Sequence, residues 1–204
     1  MNFGSILGTA ALGMMLAVGT VGCSSADSSG SDTNADTEPT DSTTEDLSGG
    51  SFAASLANGA VSAKHRALLD TIAFTEGTRN HGQNGYNVTF AYHYFSSCAH
   101  HPNLNICSGG YCSTAAGRYQ FLHGTWAGLG YGNFGPANQD RGGMKLISRR
   151  GARVPTGRAL TATEFVNTMN RISYEWASLP PGRYGQPSYS MSATRREYCK
   201  FAHC

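Results

Sequence analysis

Apolar residues recur at helical spacing in the segment 65–77, HRALLDTIAFTEG. The positions that define one face of a predicted helix are Leu68, Leu69, Ile72 and Ala73. Glu76 lies four residues after Ile72, so its carboxyl group continues this apolar face. Gly77 follows at once and is suited to end the helix, because glycine readily adopts the left-handed conformation found there.

A carboxylate at this position is disfavoured in its ionised form for two reasons. It leaves water for an apolar environment, and it lies at the negative end of the helix dipole. Both effects favour the protonated form of Glu76, which is the form that a general acid needs near neutral pH. The alternative is an ordinary solvated glutamate in the last turn of a helix.

Sequence patterns in the second half of the chain predict three more helices. Pro136 begins a helical stretch toward Arg149, although it contains two adjacent glycines. Thr161 and Glu164 form a capping box, followed by the clearest amphipathic pattern of the chain, with its apolar face made by Phe165, Met169, Ile172 and Trp176. A last helix is predicted from about Ser188 to Cys199.

Two segments in the middle of the chain carry other signals. The segment Tyr86 to Phe95 (YNVTFAYHYF) is rich in β-branched and aromatic residues and predicts a strand or hairpin. Tyr119, Leu122, Trp126 and Leu129 recur at helical spacing and predict a helix that packs on the core. The small residues before Gly117 favour close approach of the backbone there.

The N-terminus has the pattern of an export signal. The segment Ile6 to Gly22 is uncharged and apolar, and the residues before Cys23 are small. A Cys after Val-Gly is typical of a bacterial lipoprotein signal, which predicts residues 1–22 as the signal peptide and Cys23 as the lipidated first residue. The n-region has no Lys or Arg, and Thr20 stands where an aliphatic residue is usual. The alternatives are a simple signal peptide or a retained membrane anchor.

Charge divides the rest of the chain into two parts. Residues 24–50 hold seven of the 13 acidic residues and no Lys or Arg, and they are rich in Ser and Thr. This composition predicts a disordered acidic tether over residues 23–60. All 15 Lys and Arg lie in residues 51–204 with six acids, so this part has a formal charge of +9. A basic domain suits a polyanionic partner, namely nucleic acid, an anionic membrane or a cell-wall polymer.

Six cysteines are consistent with export, because disulfides form in oxidising compartments. The spacing C-x4-C occurs at Cys107/Cys112 and at Cys199/Cys204, which predicts two local bridges; Cys98 with Cys107 or Cys112 is the alternative. Cys98, His100, His101, Cys107 and Cys112 also lie close together in the sequence. Their spacing is not a standard zinc pattern, so no metal and no cofactor are predicted.

Six motifs come in a characteristic order along the domain: IAFTEGT (72–78), RNHG (79–82), STAAGRYQFL (113–122), NQD (138–140), WASLP (176–180) and YGQ (184–186). In this order the chain resembles the bacteriophage lambda lysozyme (endolysin) family over roughly residues 64–199. The resemblance implies an α+β lysozyme-like fold for residues 61–204, with a mainly helical lobe, a small β-containing lobe and a sugar-binding groove between them.

The resemblance also implies an activity and a set of site residues. Members of this family cleave the MurNAc–GlcNAc β-1,4 bond of peptidoglycan as lytic transglycosylases, and their single catalytic glutamate corresponds to Glu76. The residues that correspond to the groove motifs, and that we expect to bind substrate, are Arg118, Tyr119, Gln120, Tyr184 and Gln186. The chain departs from the family pattern between Tyr86 and Ser113, so contacts from that loop are not implied. Its aromatic residues either stack on sugars or serve ordinary packing.

The supply of acidic residues bears on the mechanism. Conventional glycosidases use two carboxylates, but the domain has only six acids, and the loop region predicted to face Glu76 has none. One carboxylate suffices if the C6 hydroxyl of MurNAc is the nucleophile, although folding could bring Asp140 near Glu76. The alternatives are a hydrolytic muramidase, a wall-binding protein without activity, and a secreted antibacterial effector of the same chemistry.

The expected partners are therefore peptidoglycan glycan strands and a membrane, through lipid on Cys23. An exported chain without a nucleic-acid motif is not expected to bind nucleic acid. The expected location is the cell envelope, as a periplasm-facing or surface lipoprotein.

Overall fold

The computed structural model describes residues 61–204, which form a mainly helical lobe and an irregular lobe with a small sheet. The predictions for residues 1–60, including the signal peptide, Cys23 and most of the tether, lie outside the described residues. Within the described part, no helix is both long and apolar enough to cross a membrane. In that same part, no group of three or more His, Cys, Asp or Glu side chains is arranged to hold a metal ion.

The first helix, α1 (Ala63–Thr75), confirms the predicted apolar face. Ser62 caps its start by accepting a hydrogen bond from the His65 N–H at 3.3 Å. Its four predicted apolar positions are fully buried in the core. Gly77 adopts a φ of +73°, so the helix ends at the predicted place and in the predicted conformation.

Four further helices follow, and three of them match their predictions closely. They are α2 (His123–Ala127), α3 (Pro136–Arg149), α4 (Ala162–Ile172) and α5 (Met191–Ala202). The capping box of Thr161 and Glu164 begins α4 as predicted. Helix α5 starts and ends about three residues later than predicted and packs along α1, where Lys64 Nζ donates to the Ala202 carbonyl at 2.9 Å.

The two glycines inside α3 have a packing reason. A Cβ on Gly142 would lie 2.9 Å from the Trp126 ring, and a Cβ on Gly143 would lie 2.8 Å from Leu69. Close packing of α3 on α1 and α2 therefore requires glycine at both positions and offsets their low helix propensity. The helix predicted from Tyr119 is shorter than expected, because residues 117–120 form a turn and only His123–Ala127 is helical.

The predicted strand over Tyr86 to Phe95 is wrong. This segment contains a 3₁₀ turn, Phe90–Tyr92, and only isolated bridges such as Val88 to Tyr94. The sheet lies later in the chain, as a hairpin of β1 (Ile106–Ser108) and β2 (Tyr111–Ser113) joined by Gly109 and Gly110. Ala91 and Tyr92 have φ values of +57° and +61°, which are incompatible with an extended strand.

Both predicted local disulfides are confirmed. Cys107 and Cys112 face each other in register across the hairpin and are bonded. Cys199 and Cys204 join the last turn of α5 to the C-terminus. Each of the two bridges therefore closes a short loop next to regular structure, one at the tip of the irregular lobe and one at the end of the helical lobe.

Candidate active site

Glu76 occupies the C-cap of α1, where its backbone is still helical and its N–H donates to the Ile72 carbonyl at 2.9 Å. The residue is only partly accessible to solvent. The Ser178 hydroxyl lies 2.6 Å from Glu76 Oε1 and donates to it. Residue 178 belongs to the WASLP motif, so the last turn of α1 and this distant segment together define the position of the carboxyl group.

Burial decides the protonation state of Glu76. Desolvation raises the pKa of its carboxyl group to about 7, although the Ser178 hydrogen bond acts in the opposite direction and lowers it. The location at the C-terminal end of α1 adds an unfavourable field for the anion. Near neutral pH a large share of Glu76 is therefore protonated and able to act as an acid, as the sequence predicts.

The hydroxyl of Ser178 can serve both protonation states of Glu76. Besides Glu76 Oε1, it lies 3.1 Å from Thr75 Oγ1, whose own proton is donated to the Ile72 carbonyl at 2.9 Å. Ser178 has one proton, which it can give to the Glu76 anion or to Thr75 Oγ1. When Glu76 is protonated, Ser178 is free to accept from the acid. The site therefore has hydrogen-bond partners before and after proton transfer.

Every other acidic residue of the described domain has a basic partner. Within residues 61–204 the ion pairs of these five carboxylates join Asp70 to Arg118, Asp140 to Arg66, Glu164 to Arg158, Glu175 to Arg150, and Glu197 to Arg79 and Lys200. Glu76 forms no ion pair within this range, and its carboxyl group is the one held by a hydroxyl alone. This difference singles out Glu76 as the chemically available acid.

Asp140, which folding could have brought near Glu76, is engaged elsewhere. Its carboxylate accepts hydrogen bonds from Arg66 at 2.6 Å, Tyr119 at 2.6 Å and Tyr86 at 2.8 Å. Burial opposes the charge of Arg66, but Asp140 outweighs this effect and raises the pKa of Arg66. Burial and the Asp140 charge together raise the pKa of Tyr119. This network keeps Asp140 as a paired structural anion.

Two of the predicted substrate residues, Arg118 and Tyr119, have buried side chains. Tyr119 is fully buried, and its hydroxyl is occupied by Asp140. The Arg118 side chain is 3% exposed, pairs with Asp70 at 2.7 Å and also donates to the Asn84 carbonyl. Neither side chain is open to solvent in this structure, and each contacts a carboxylate of the domain. The backbone of Tyr119 holds the WASLP segment in place, since its carbonyl accepts a hydrogen bond from Trp176 Nε1 at 2.9 Å.

The other three predicted substrate residues have accessible side chains. Gln120, with a φ of +47°, is partly exposed and donates to the Gly117 carbonyl at 3.0 Å. Tyr184 and Gln186 are exposed beyond the Trp176 to Pro180 segment, and the Tyr184 hydroxyl donates to the Tyr174 carbonyl at 2.9 Å. Their contact with substrate stays a prediction.

Ser178 is the site residue that sequence reasoning missed. Nothing in its neighbourhood along the chain indicates a partner, because Glu76 is 102 residues away. The only signal was its place inside the WASLP motif. The segment is fixed by the Trp176 bond to Tyr119, and the Tyr189 N–H donates to the Ser178 carbonyl at 3.1 Å.

A helical lobe, a small β-containing lobe and one partly buried glutamate at a helix end define a lysozyme-like fold and site. The structure superposes on bacteriophage lambda lysozyme complexed with a chitohexasaccharide with a TM-score of 0.63 and 29% identity, covering 69% of this chain and 95% of that one. The α+β lysozyme-like fold is therefore confirmed.

Sequence comparison gives the family. Residues 66–202 match the Endolysin family model. The chain is 35% identical to the endolysin of Escherichia phage lambda over 132 residues, 60% of this chain and 81% of that protein. It is 33% identical to the endolysin of Escherichia phage P2 over 143 residues, 61% of this chain and 84% of that protein. The chain belongs to the endolysin family, and it is a lysozyme-like enzyme that cleaves peptidoglycan.

Proposed function

We propose that the chain is a lytic transglycosylase, which cleaves the MurNAc–GlcNAc β-1,4 bond and leaves a 1,6-anhydro ring on MurNAc. The observation that carries this proposal is the pairing of the carboxylates. A conventional glycosidase needs a second carboxylate as nucleophile or base. Within residues 61–204 the five other carboxylates are held in ion pairs, and Glu76 is the one without a basic partner.

In this mechanism Glu76 acts twice. As an acid, with its pKa raised to about 7, it protonates the oxygen that leaves with GlcNAc. The C1–O bond breaks, and the resulting Glu76 anion accepts the proton of the MurNAc C6 hydroxyl while that oxygen bonds to C1. One bond breaks and one forms, Glu76 regains its proton, and no water is consumed.

The Ser178 hydroxyl supports the second half of this reaction. It donates to Glu76 Oε1 at 2.6 Å, which stabilises the anion that forms when the proton leaves. Burial favours the neutral acid before the reaction, and the hydrogen bond limits the cost of the charge after it. The two effects set the pKa of Glu76 between those of a solvated and an isolated buried carboxyl group.

The glycan partner is consistent with the relatives and with the charge of the domain. Lambda lysozyme has been seen with a chitohexasaccharide, which has the β-1,4-linked amino-sugar backbone found in peptidoglycan. The formal charge of +9 for residues 51–204 favours binding to a wall that carries peptide carboxylates. Gln120, Tyr184 and Gln186 are the predicted residues whose side chains remain available for this contact.

The test is Glu76→Gln, which preserves shape and removes the proton. We expect this variant to keep the fold and to lose release of soluble muropeptides from purified sacculi by at least about a thousandfold. Glu175→Gln is the matched control: its carboxylate pairs with Arg150 at 2.7 Å, and activity should be retained. Substantial turnover by Glu76→Gln would overturn the assignment of Glu76.

We further propose that the enzyme is exported and anchored by lipid on Cys23, with residues 23–60 as a tether between membrane and catalytic domain. The uncharged segment Ile6 to Gly22 and the acidic Ser/Thr-rich composition support this. Palmitate should label the wild type and not Cys23→Ser, and globomycin should block maturation. Equal labelling of both forms, or none, would contradict anchoring at Cys23.

A further inference from the structure

Tyr92 has a backbone conformation that L-residues rarely adopt. It follows Ala91 in the 3₁₀ turn Phe90–Tyr92, and these two residues have φ values of +57° and +61°. Two consecutive non-glycine residues in this region cost on the order of 1–2 kcal/mol each. Such strain persists only where the surrounding structure holds it, and it is often found where a turn positions a functional side chain.

The turn places the Tyr92 hydroxyl against the residue that follows the catalytic acid. A Cβ built on Gly77 would lie 2.5 Å from the Tyr92 hydroxyl oxygen. Gly77 itself requires a φ of +73° to end α1 immediately after Glu76. Glycine at this position therefore serves two purposes, since it terminates the helix and leaves room for a phenol from the irregular lobe beside the acid.

The Tyr92 ring is stacked on one side by a neighbouring ring, and the residue is exposed to solvent. His81, from the RNHG motif, stacks on it with ring centroids 4.3 Å apart and planes inclined by 18°. Half of the Tyr92 residue surface is nevertheless exposed, in contrast to the buried aromatics of the core. An exposed aromatic ring held in place by a stacked neighbour is suited to pack on the C–H face of a pyranose ring, because the π-face is electron-rich.

We propose that Tyr92 is a substrate-positioning residue, whose ring stacks, on the side away from His81, on a sugar ring of the glycan next to the bond that Glu76 cleaves. His81 orients the ring, and Gly77 provides the space for its hydroxyl. This inference rests on the proposed glycan cleavage. It adds a contact from the irregular lobe, for whose aromatic residues the sequence leaves sugar stacking and ordinary packing as alternatives.

The test measures glycan binding apart from turnover. In the Glu76→Gln background, chitohexaose affinity is measured by calorimetry for Tyr92→Ala, Tyr92→Phe and Tyr94→Ala. Tyr94 is the matched control, because it is equally exposed in the same loop but its ring lies over Gly82 instead of Gly77. We expect Tyr92→Ala to raise Kd about tenfold, Tyr92→Phe to retain affinity, and Tyr94→Ala to leave it unchanged.

Kinetics with Glu76 intact give the second readout. Tyr92→Ala should raise KM and lower kcat/KM on sacculi, while Tyr92→Phe should restore both and Tm should change little. Unchanged Kd and KM for Tyr92→Ala, or the same loss in Tyr94→Ala, would overturn the inference. Loss of activity through Glu76 tests the proposed function separately, because the Kd comparison is made without turnover.

Discussion

At the scale of single residues, the site consists of one carboxyl group whose neighbours fix its proton affinity. Burial raises the pKa of Glu76 to about 7, and the Ser178 hydroxyl opposes that rise. Glu76 therefore differs from the other acids of the domain both in its partner and in its charge state. The raised pKa has consequences for activity and for stability, both of which should fall as pH rises, and each can be measured.

The activity should fall as pH rises through about 7, because the acid form of Glu76 is lost. Ser178→Ala removes a hydrogen bond that favours the anion, so the pKa of Glu76 rises further and the falling limb moves to higher pH. The measurement is kcat/KM against pH. Ser148→Ala, an exposed serine on α3, should leave the limb in place. A limb that stays or moves to lower pH in Ser178→Ala would contradict the assigned role.

Stability should show the cost of an ionised Glu76. Its pKa is about 7 in the folded protein and 4.5 as the reference value, so the folded state binds the proton more tightly and stability falls as pH rises between these values. Glu76→Gln cannot ionise. We expect its free energy of unfolding to exceed that of the wild type by up to about 3 kcal/mol at pH 8, and to match it near pH 4, in urea titrations. A variant equally stable or less stable at pH 8 would refute this.

At the scale of elements, periodic patterns were predictive and composition alone was not. The apolar face of α1, the Pro136 start of α3 and the capping box of α4 depend on local spacing, and the structure confirms them. Tyr86 to Phe95 has strand composition, but the positive φ values at Ala91 and Tyr92 and its packing against Ala115 and Gly117 override that preference.

The candidate site could be predicted only where its residues are close together in the sequence. Glu76 and Gly77 are adjacent and belong to one helix end, so the sequence alone predicted their placement at the end of α1. The burial of Arg118 and the Ser178 hydrogen bond depend on partners 48 and 102 residues away. No pattern within a single element reveals which side chain a distant segment covers or contacts.

The turn that begins at Gly117 allows a prediction about stability. Gly117 has a φ of +77°, and a Cβ there would collide with the Gln139 side chain and lie 2.8 Å from Phe134. Gln139 is fully buried and accepts the Arg118 N–H at 2.8 Å. Gly117→Ala should therefore destabilise the protein by about 3 kcal/mol or more, measured by denaturant unfolding.

Gly130 provides the matched control for this substitution. Its φ is +76°, but a Cβ there would meet nothing within 4 Å. Gly130→Ala should cost only the backbone strain, about 1 kcal/mol. Equal losses for the two variants would show that the close contact with Gln139 contributes nothing.

At the scale of the whole molecule, both lobes contribute to the surroundings of Glu76. The helical lobe buries Glu76 at the end of α1, the WASLP segment supplies Ser178, and the irregular lobe brings Tyr92 against Gly77. Basic residues neutralise each remaining carboxylate within residues 61–204 and leave an excess of positive charge. The outcome is a domain with one neutral acid and a surface suited to an anionic polymer.

The central claim is that this single acid works with a nucleophile supplied by the substrate. The most direct measurement is digestion of purified sacculi in heavy-oxygen water, with mass spectrometry of the released muropeptides. We predict 1,6-anhydro-MurNAc ends without heavy oxygen, because no water enters the reaction. Reducing MurNAc ends that carry one heavy oxygen would contradict this claim and would require a second catalytic group to activate water.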